Sequence, residues 1–139
     1  MYEKPVLGLP EAMIALDAML KEAAKESERP LAMAIVDDNG ELVCYGRMDR
    51  VNPLPRQLAV KKAYTAARMR ADTLAFAERL KSQGRSVIEM GDPNLTSVQG
   101  GIAIVRLSDG TVLGGIGVSG RRAEEDEEIA RIGLRAMNL

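Results

Sequence analysis

The sequence predicts an α+β fold, an antiparallel sheet covered by helices. Two β-rich runs fold back on tight turns, at Asn39-Gly40 and at Asp109-Gly110, dipeptides that supply the positive φ values a short hairpin needs. Apolar residues at helical spacing occur before, between and after these hairpins. Strands that arrive as hairpins, not in strand–helix–strand alternation, give an antiparallel sheet. The 139 residues are 46% hydrophobic and 28% charged, which suits one compact domain over 1–139 with a buried core.

The elements follow in order. Leu9, Met13, Leu16, Leu20 and Ala23 recur on one face of a helix over 9–26, with Pro10 in its first turn and "ERP" breaking it. "LAMAIVDDNGELVCYGRM" (31–48) is the clearer hairpin, and "DRVNPLP" is a loop with two prolines. A helix over about 55–70 carries a stripe of small residues, Ala59, Ala63, Ala66 and Ala67, that permits close approach to a sheet or to another subunit. A short helix over roughly 72–83 stops near Gly84, and "SVIEMGDPNLTSVQGG" is irregular. "GIAIVRLSDGTVLGGIGVSG" forms the second hairpin, and a last helix spans about 122–137.

Composition excludes several functions. Net charge is −1 with both signs interspersed, and aromatics are 3%, so neither a basic nucleic-acid face nor a base-stacking platform is supplied. One cysteine and no histidine rule out an internal disulfide and a Cys/His zinc site in one subunit. No methionine is a ligand by spacing, and no metal site is expected. Acid–base chemistry falls to Asp, Glu, Lys, Tyr or Cys44, and Cys44 sits in a strand with no histidine to activate it. The absence of a leader-like N-terminus and of a long apolar run leads to the expectation of a cytoplasmic protein that avoids the membrane.

Gly115, Gly117 and Gly120 match the G-x-G-x-x-G dinucleotide pattern. That pattern needs a parallel strand and an acid about 20 residues on. Here 19 residues follow Gly120 and one helix consumes them, so the dinucleotide reading fails on topology. The glycines admit either the Ala-rich helix or a ligand close to the strand. At "SGRRAEED" a helix N-terminus beside Arg121 and Arg122 reads as an anion site, or else as a solvated surface with Arg121–Glu125 and Arg122–Asp126 pairs at i,i+4. Arg47, Asp49 and Arg50 stand where the first hairpin exits, either lining a cleft or solvated. Lys61 and Lys62 share the Ala-striped helix, so one of them lies nearer its packed face, as an anion anchor or base, or else snorkels to solvent.

"AIVDDNGELVCYGRMD", "KKAYTA", "QGGIAI" and "VLGGIGVSGRRAEEDEEIARIG" together resemble the GlcG/HbpS-like family, which includes the C-terminal domain of PduO-type corrinoid adenosyltransferases. The resemblance implies a profilin-like fold, a five-stranded antiparallel sheet with helices on both sides, assembled into dimers or octamers. It implies haem as a candidate cofactor, since some members bind or degrade haem. Others are encoded beside enzymes of glycolate, diol or aromatic-acid catabolism. Recurrent polar positions of the family fall on Asp37, Arg47, Asp49, Lys62, Thr65, Ser119 and Asp126, and its glycines on Gly100, Gly101, Gly115, Gly117 and Gly120. The sequence departs in having no histidine, in Ala103 where proline is frequent, and in Arg121-Arg122 after "SG".

The expected function is an oligomeric ligand-binding accessory protein for a small organic acid or a tetrapyrrole-type cofactor (haem or a corrinoid). Arg47, Thr65, Gly100, Gly101, Ser119, Gly120, Arg121 and Arg122 are the expected ligand-binding residues, Arg47, Lys62 and the helix N-terminus holding carboxylates. The alternatives are a small isomerase, deaminase or hydrolase with Lys62 or Asp49 as base, and an oligomerisation module without a ligand.

Overall fold

The computed structural model describes residues 1–139. Helix α1 (Leu9–Ala23) ends in a 3-10 turn, Ala24–Glu26, so the helical run to 26 is interrupted only in its last three residues. Strands β1 (Ala32–Asp37) and β2 (Leu42–Arg47) make the first hairpin. Helix α2 (Pro53–Met69) begins two residues before the expected start, because Pro53 and Pro55 fit a first turn whose N–H groups have no partner in any case. Helix α3 (Thr73–Ser82), strands β3 (Gly101–Val105) and β4 (Val112–Ser119), and helix α4 (Ala123–Met137) complete the chain. None of these helices is long and apolar enough to cross a membrane.

The sheet is antiparallel with order β2-β1-β4-β3. Its two faces differ in side-chain size. Met33, Ile35, Ile102, Ile104, Ile116 and Val118 point to one face and pack with Leu16 and Met19 of α1 and Ile129 and Ala130 of α4. Each fully buried Leu, Ile, Val or Met contributes about 1.5–3 kcal/mol of transfer free energy, so this layer carries most of the stability. On the other face Ala32, Ala34 and Val36 meet Ala59, Ala63 and Ala67 of α2. There a Cβ on Gly117 would lie 2.0 Å from the Ala59 carbonyl oxygen, and one on Gly115 2.2 Å from that of Ala63. The first two glycines of the G-x-G-x-x-G match therefore admit the backbone of a helix, which also explains the alanine stripe.

Four strands stand where the family resemblance implied five, a correction with a local cause. Strand β3 is an edge, and its outer N–H groups are taken up by the residues that open α3. Gly101 donates to Thr73 Oγ1 at 3.0 Å, Ala103 donates to Asp72 Oδ1 at 3.0 Å, and the Thr73 hydroxyl donates to the Gly101 carbonyl at 3.3 Å. Side chains thus satisfy groups that a fifth strand would have paired. Asp72 stands at the N-cap of α3 without capping it, because its carboxylate also accepts from Arg131 at 2.9 Å.

Candidate functional site

All six buried polar or charged side chains, Lys62, Thr65, Thr73, Thr96, Ser119 and Asp126, come from α2, the start of α3, the segment before β3, the end of β4 and the start of α4. The period of α2 explains Lys62 and Thr65: they share the packed side with Ala59, Ala63 and Ala66. Lys62 is 1% exposed, and its Nζ donates to the Val118 carbonyl at 2.8 Å and to Asp126 Oδ2 at 3.2 Å. Thr65 donates to the Lys61 carbonyl at 2.8 Å and accepts from the Thr96 N–H at 2.9 Å. Gly100, at φ +127°, lies against Lys62: a Cβ there would be 2.7 Å from Nζ. Segment 96–100 therefore runs as a strap along the polar side of α2.

Electrostatics in this layer is dominated by burial. It pushes the Lys62 ammonium down and the Asp126 carboxyl up, while their mutual attraction and hydrogen bond act the other way. Asp126 Oδ1 also accepts from the Arg121 N–H at 3.0 Å. The anion position that a helix N-terminus offers is thus filled by a carboxylate of α4 itself.

Of the two arginines of "SGRR", Arg121 departs from both sequence readings, while Arg122 lies on the solvated surface with other partners than the i,i+4 one. Arg121 turns inward, its Nε donating to the Arg29 carbonyl at 2.8 Å and its guanidinium to those of Ala23 at 2.9 Å and Glu26 at 3.2 Å. It closes the C-terminal end of α1, where carbonyls are left without helical partners. Arg122 is exposed and pairs with Glu124 and Glu125, while Glu125 also meets Arg29 at 2.6 Å. Neither i,i+4 pair forms, because Lys62 takes Asp126 and the α1 carbonyls take Arg121. Gly120, at φ +142°, lies against Pro30 and Leu31, and Ser119 is buried at the end of β4.

Arg47 stands in one row with Ala32 and Ser119 across the sheet, on the α2 face and two inter-strand spacings, roughly 10 Å, from Ser119. Its side chain and those of Asp49 and Arg50 are at the surface, and Arg50 adopts φ 71° in the turn that leads to α2. Lys62 and Asp49 are not brought together: one is locked to Asp126, the other lies exposed beyond β2. Two neighbours of Arg47 were not singled out from sequence. The Tyr45 hydroxyl donates to the Arg56 carbonyl at 3.1 Å, and Arg56 Nε donates to the Val51 carbonyl at 3.0 Å. Burial raises the Tyr45 phenol, and the charges of Arg47 and Arg56 act the other way. The only sequence signal for Arg56 was its place in the opening turns of a Pro-started helix.

The comparisons with known proteins agree on one group. The family described as "Haem degrading protein HbpS-like" matches residues 7–135. Protein GlcG of Escherichia coli K12 is 34% identical over 105 residues, 76% of this chain and 75% of GlcG. The corrinoid adenosyltransferase PduO of Citrobacter freundii is 31% identical over 119 residues, 84% of this chain but 35% of PduO. Among solved structures, a double mutant of HbpS from Streptomyces reticuli superimposes with TM-score 0.85 at 29% identity, covering 97% of this chain and 89% of HbpS. A PduOC:haem complex superimposes with TM-score 0.84 at 28% identity, covering 96% of both chains. A match from Leu7 to Arg135 takes in both faces of the sheet and the whole buried polar layer, and on that ground this chain belongs to the HbpS-like family.

Proposed function

We propose that this protein is a ligand-binding accessory protein whose ligand is a carboxylate-bearing tetrapyrrole. The likeness to the PduOC:haem complex, over 96% of both chains, carries this reading, together with the family's description as haem-degrading. Lys62, Asp126 and Arg121 bond to one another or to backbone carbonyls, which leaves Arg47 as the expected anchor with an uncommitted side chain. Self-association belongs to the same reading. Val6, Leu9, Met13 and Ile14 present an apolar surface at and before α1, and a second copy would remove it from water.

Titration of the purified protein with haemin, followed at the Soret band beside lysozyme as an inert control, tests the ligand. A saturable change at fixed stoichiometry is expected. A response no larger than that of lysozyme refutes the tetrapyrrole reading. Light scattering on a size-exclusion column is expected to give a mass above that of the 15.0 kDa chain, and a monomer at micromolar concentration refutes self-association.

The enzymatic alternative draws on one observation, the lowered pKa of Lys62, the property a lysine base requires. Against it stands the seclusion of that amine, which is 1% exposed and bonded to Val118 and Asp126.

A further inference from the structure

The surface where β2 runs into α2 gathers Arg47, Arg50 and Arg56 within ten residues. None of the three has a carboxylate within ion-pair distance, as is true of seven others of the 19 lysines and arginines. Asp49, between Arg47 and Arg50 in sequence, reaches neither. Arg47 has no hydrogen-bond partner, and its backbone pairing places it on the same sheet face as Tyr45. Arg56 is fixed through Nε to the Val51 carbonyl, which orients its plane and leaves its terminal nitrogens free. Tyr45, half-buried and packed against the alanine layer, shares the sheet face of Arg47 two residues along β2 and ties its hydroxyl to the Arg56 backbone carbonyl. Guanidiniums without an acid partner favour an anion, and a guanidinium fork matches a carboxylate bidentately.

The same surroundings offer little to a metal. The chain has no histidine. Cys44, next to Tyr45, packs on the opposite face of the sheet, the thioether of Met48 accepts from the Leu31 N–H at 3.4 Å, and burial pushes the Tyr45 phenol up, away from the phenolate an iron would take. The donor set fits the acid groups of a tetrapyrrole and not its iron. We therefore propose that Arg47 and Arg56, linked through Tyr45 by the β2 face and the hydroxyl–carbonyl bond, hold the carboxylates of a planar tetrapyrrole, so that the ligand is recognised by its acid edge and the metal is dispensable. This rests on the tetrapyrrole reading above and narrows it to an edge, a residue pair and a metal-independent mode.

The test compares haemin, metal-free protoporphyrin IX and protoporphyrin dimethyl ester on the wild-type chain and on Arg47→Gln, Arg56→Gln and the control Arg135→Gln. Absorbance and quenching of porphyrin fluorescence report binding, and circular dichroism reports folding. Haemin and the free base are expected to bind the wild-type chain within about threefold of each other, and the ester at least tenfold more weakly. Each of Arg47→Gln and Arg56→Gln weakens both acids about tenfold or more, as expected for loss of one charge-assisted pair, while Arg135→Gln leaves them unchanged. Binding of haemin without the free base, or equal affinity in the arginine variants, overturns the proposal and leaves the tetrapyrrole reading standing. No binding of either acid to the wild-type chain overturns both.

Discussion

Replacing Lys62 by Met removes one half of a buried ion pair and strands the other. Asp126 keeps the Arg121 N–H at 3.0 Å but loses the ammonium at 3.2 Å, and the Val118 carbonyl loses its donor at 2.8 Å. Both side chains of the pair are within 2% of full burial, so water does not take the place of the lost amine. Breaking such a pair from one side costs about 3–5 kcal/mol, mostly the penalty of an uncompensated buried charge. With an unfolding entropy of about 2.1 cal/mol/K per residue over 139 residues, the melting temperature falls by about 10–17 °C. Asp126→Asn, which leaves the ammonium stranded, falls in the same range. In the double variant the amide still accepts from Arg121 and no charge remains buried, so it is more stable than Lys62→Met alone, with a coupling of at least about 1 kcal/mol. Chemical denaturation of the four proteins at neutral pH measures the cycle. Single costs below about 1 kcal/mol, or strict additivity, would show that the pair is hydrated or uncoupled and would refute the reasoning.

Further expectations concern pH, packing and the sheet edge. The loss in Lys62→Met shrinks as the solution is acidified: the carboxyl of Asp126, already pushed up by burial, loses the attraction that held it down. A carboxyl raised in the folded state contributes stability that is fully present below its unfolded pKa and lost as pH rises through the folded one. Melting of Lys62→Met against wild type at pH 4 and pH 7.5 checks this, and an equal gap at both refutes it. Gly117→Ala drives a methyl to 2.0 Å from the Ala59 carbonyl oxygen, and its cost reaches or exceeds the 1–3 kcal/mol of ordinary overpacking. Gly133→Ala, in α4, meets only the flexible Met19 thioether at 2.8 Å and gains helix propensity of about 1 kcal/mol, so it comes out within about 1 kcal/mol of wild type in the same denaturation assay. Thr73→Val strips β3 of the hydroxyl that serves both the N–H and the carbonyl of Gly101, costing about 1–3 kcal/mol. It also leaves an edge open to pairing, seen as faster aggregation by light scattering.

Much of the fold was legible because it rests on local signals. The Asn39-Gly40 and Asp109-Gly110 turns set both hairpins, and the spacing of Ala59, Ala63 and Ala67 marked the packed side of α2 before any partner was known. The glycine strand was readable in its need for close approach but not in what approaches, since the Ala59 and Ala63 carbonyls lie more than fifty residues away in the chain. The fifth strand came from the family resemblance alone; the two hairpins read from the residues are the four strands of the sheet, and what could not be read is how its β3 edge is closed. Nothing local in "ADT" says that Asp72 and Thr73 will bond across to β3 and leave α3 without a side-chain cap.

The candidate site shows the same division more sharply. Lys62, Thr65, Ser119 and Arg121 were identifiable as polar residues in packed or junction positions, yet what each could do depended on partners that sequence spacing does not reveal. Arg121 reaches back 98 residues to the Ala23 carbonyl, and Lys62 reaches forward 64 to Asp126. A local reading assigned both to an anion because the nearest charges suited one. Once these long-range bonds are made, the α4 N-terminus has its own carboxylate and Arg121 is turned to the carbonyls at the end of α1. The chemistry left for an outside ligand is what remains after internal pairing, and among the candidates that remainder is Arg47. Tyr45 shares its sheet face two residues back along β2, while Arg56 comes near only through the long-range bond of its carbonyl to the Tyr45 hydroxyl. A polar residue is therefore a better ligand candidate for lacking a partner in the folded chain than for matching a motif in the sequence, and the arginine variants put that criterion to the test.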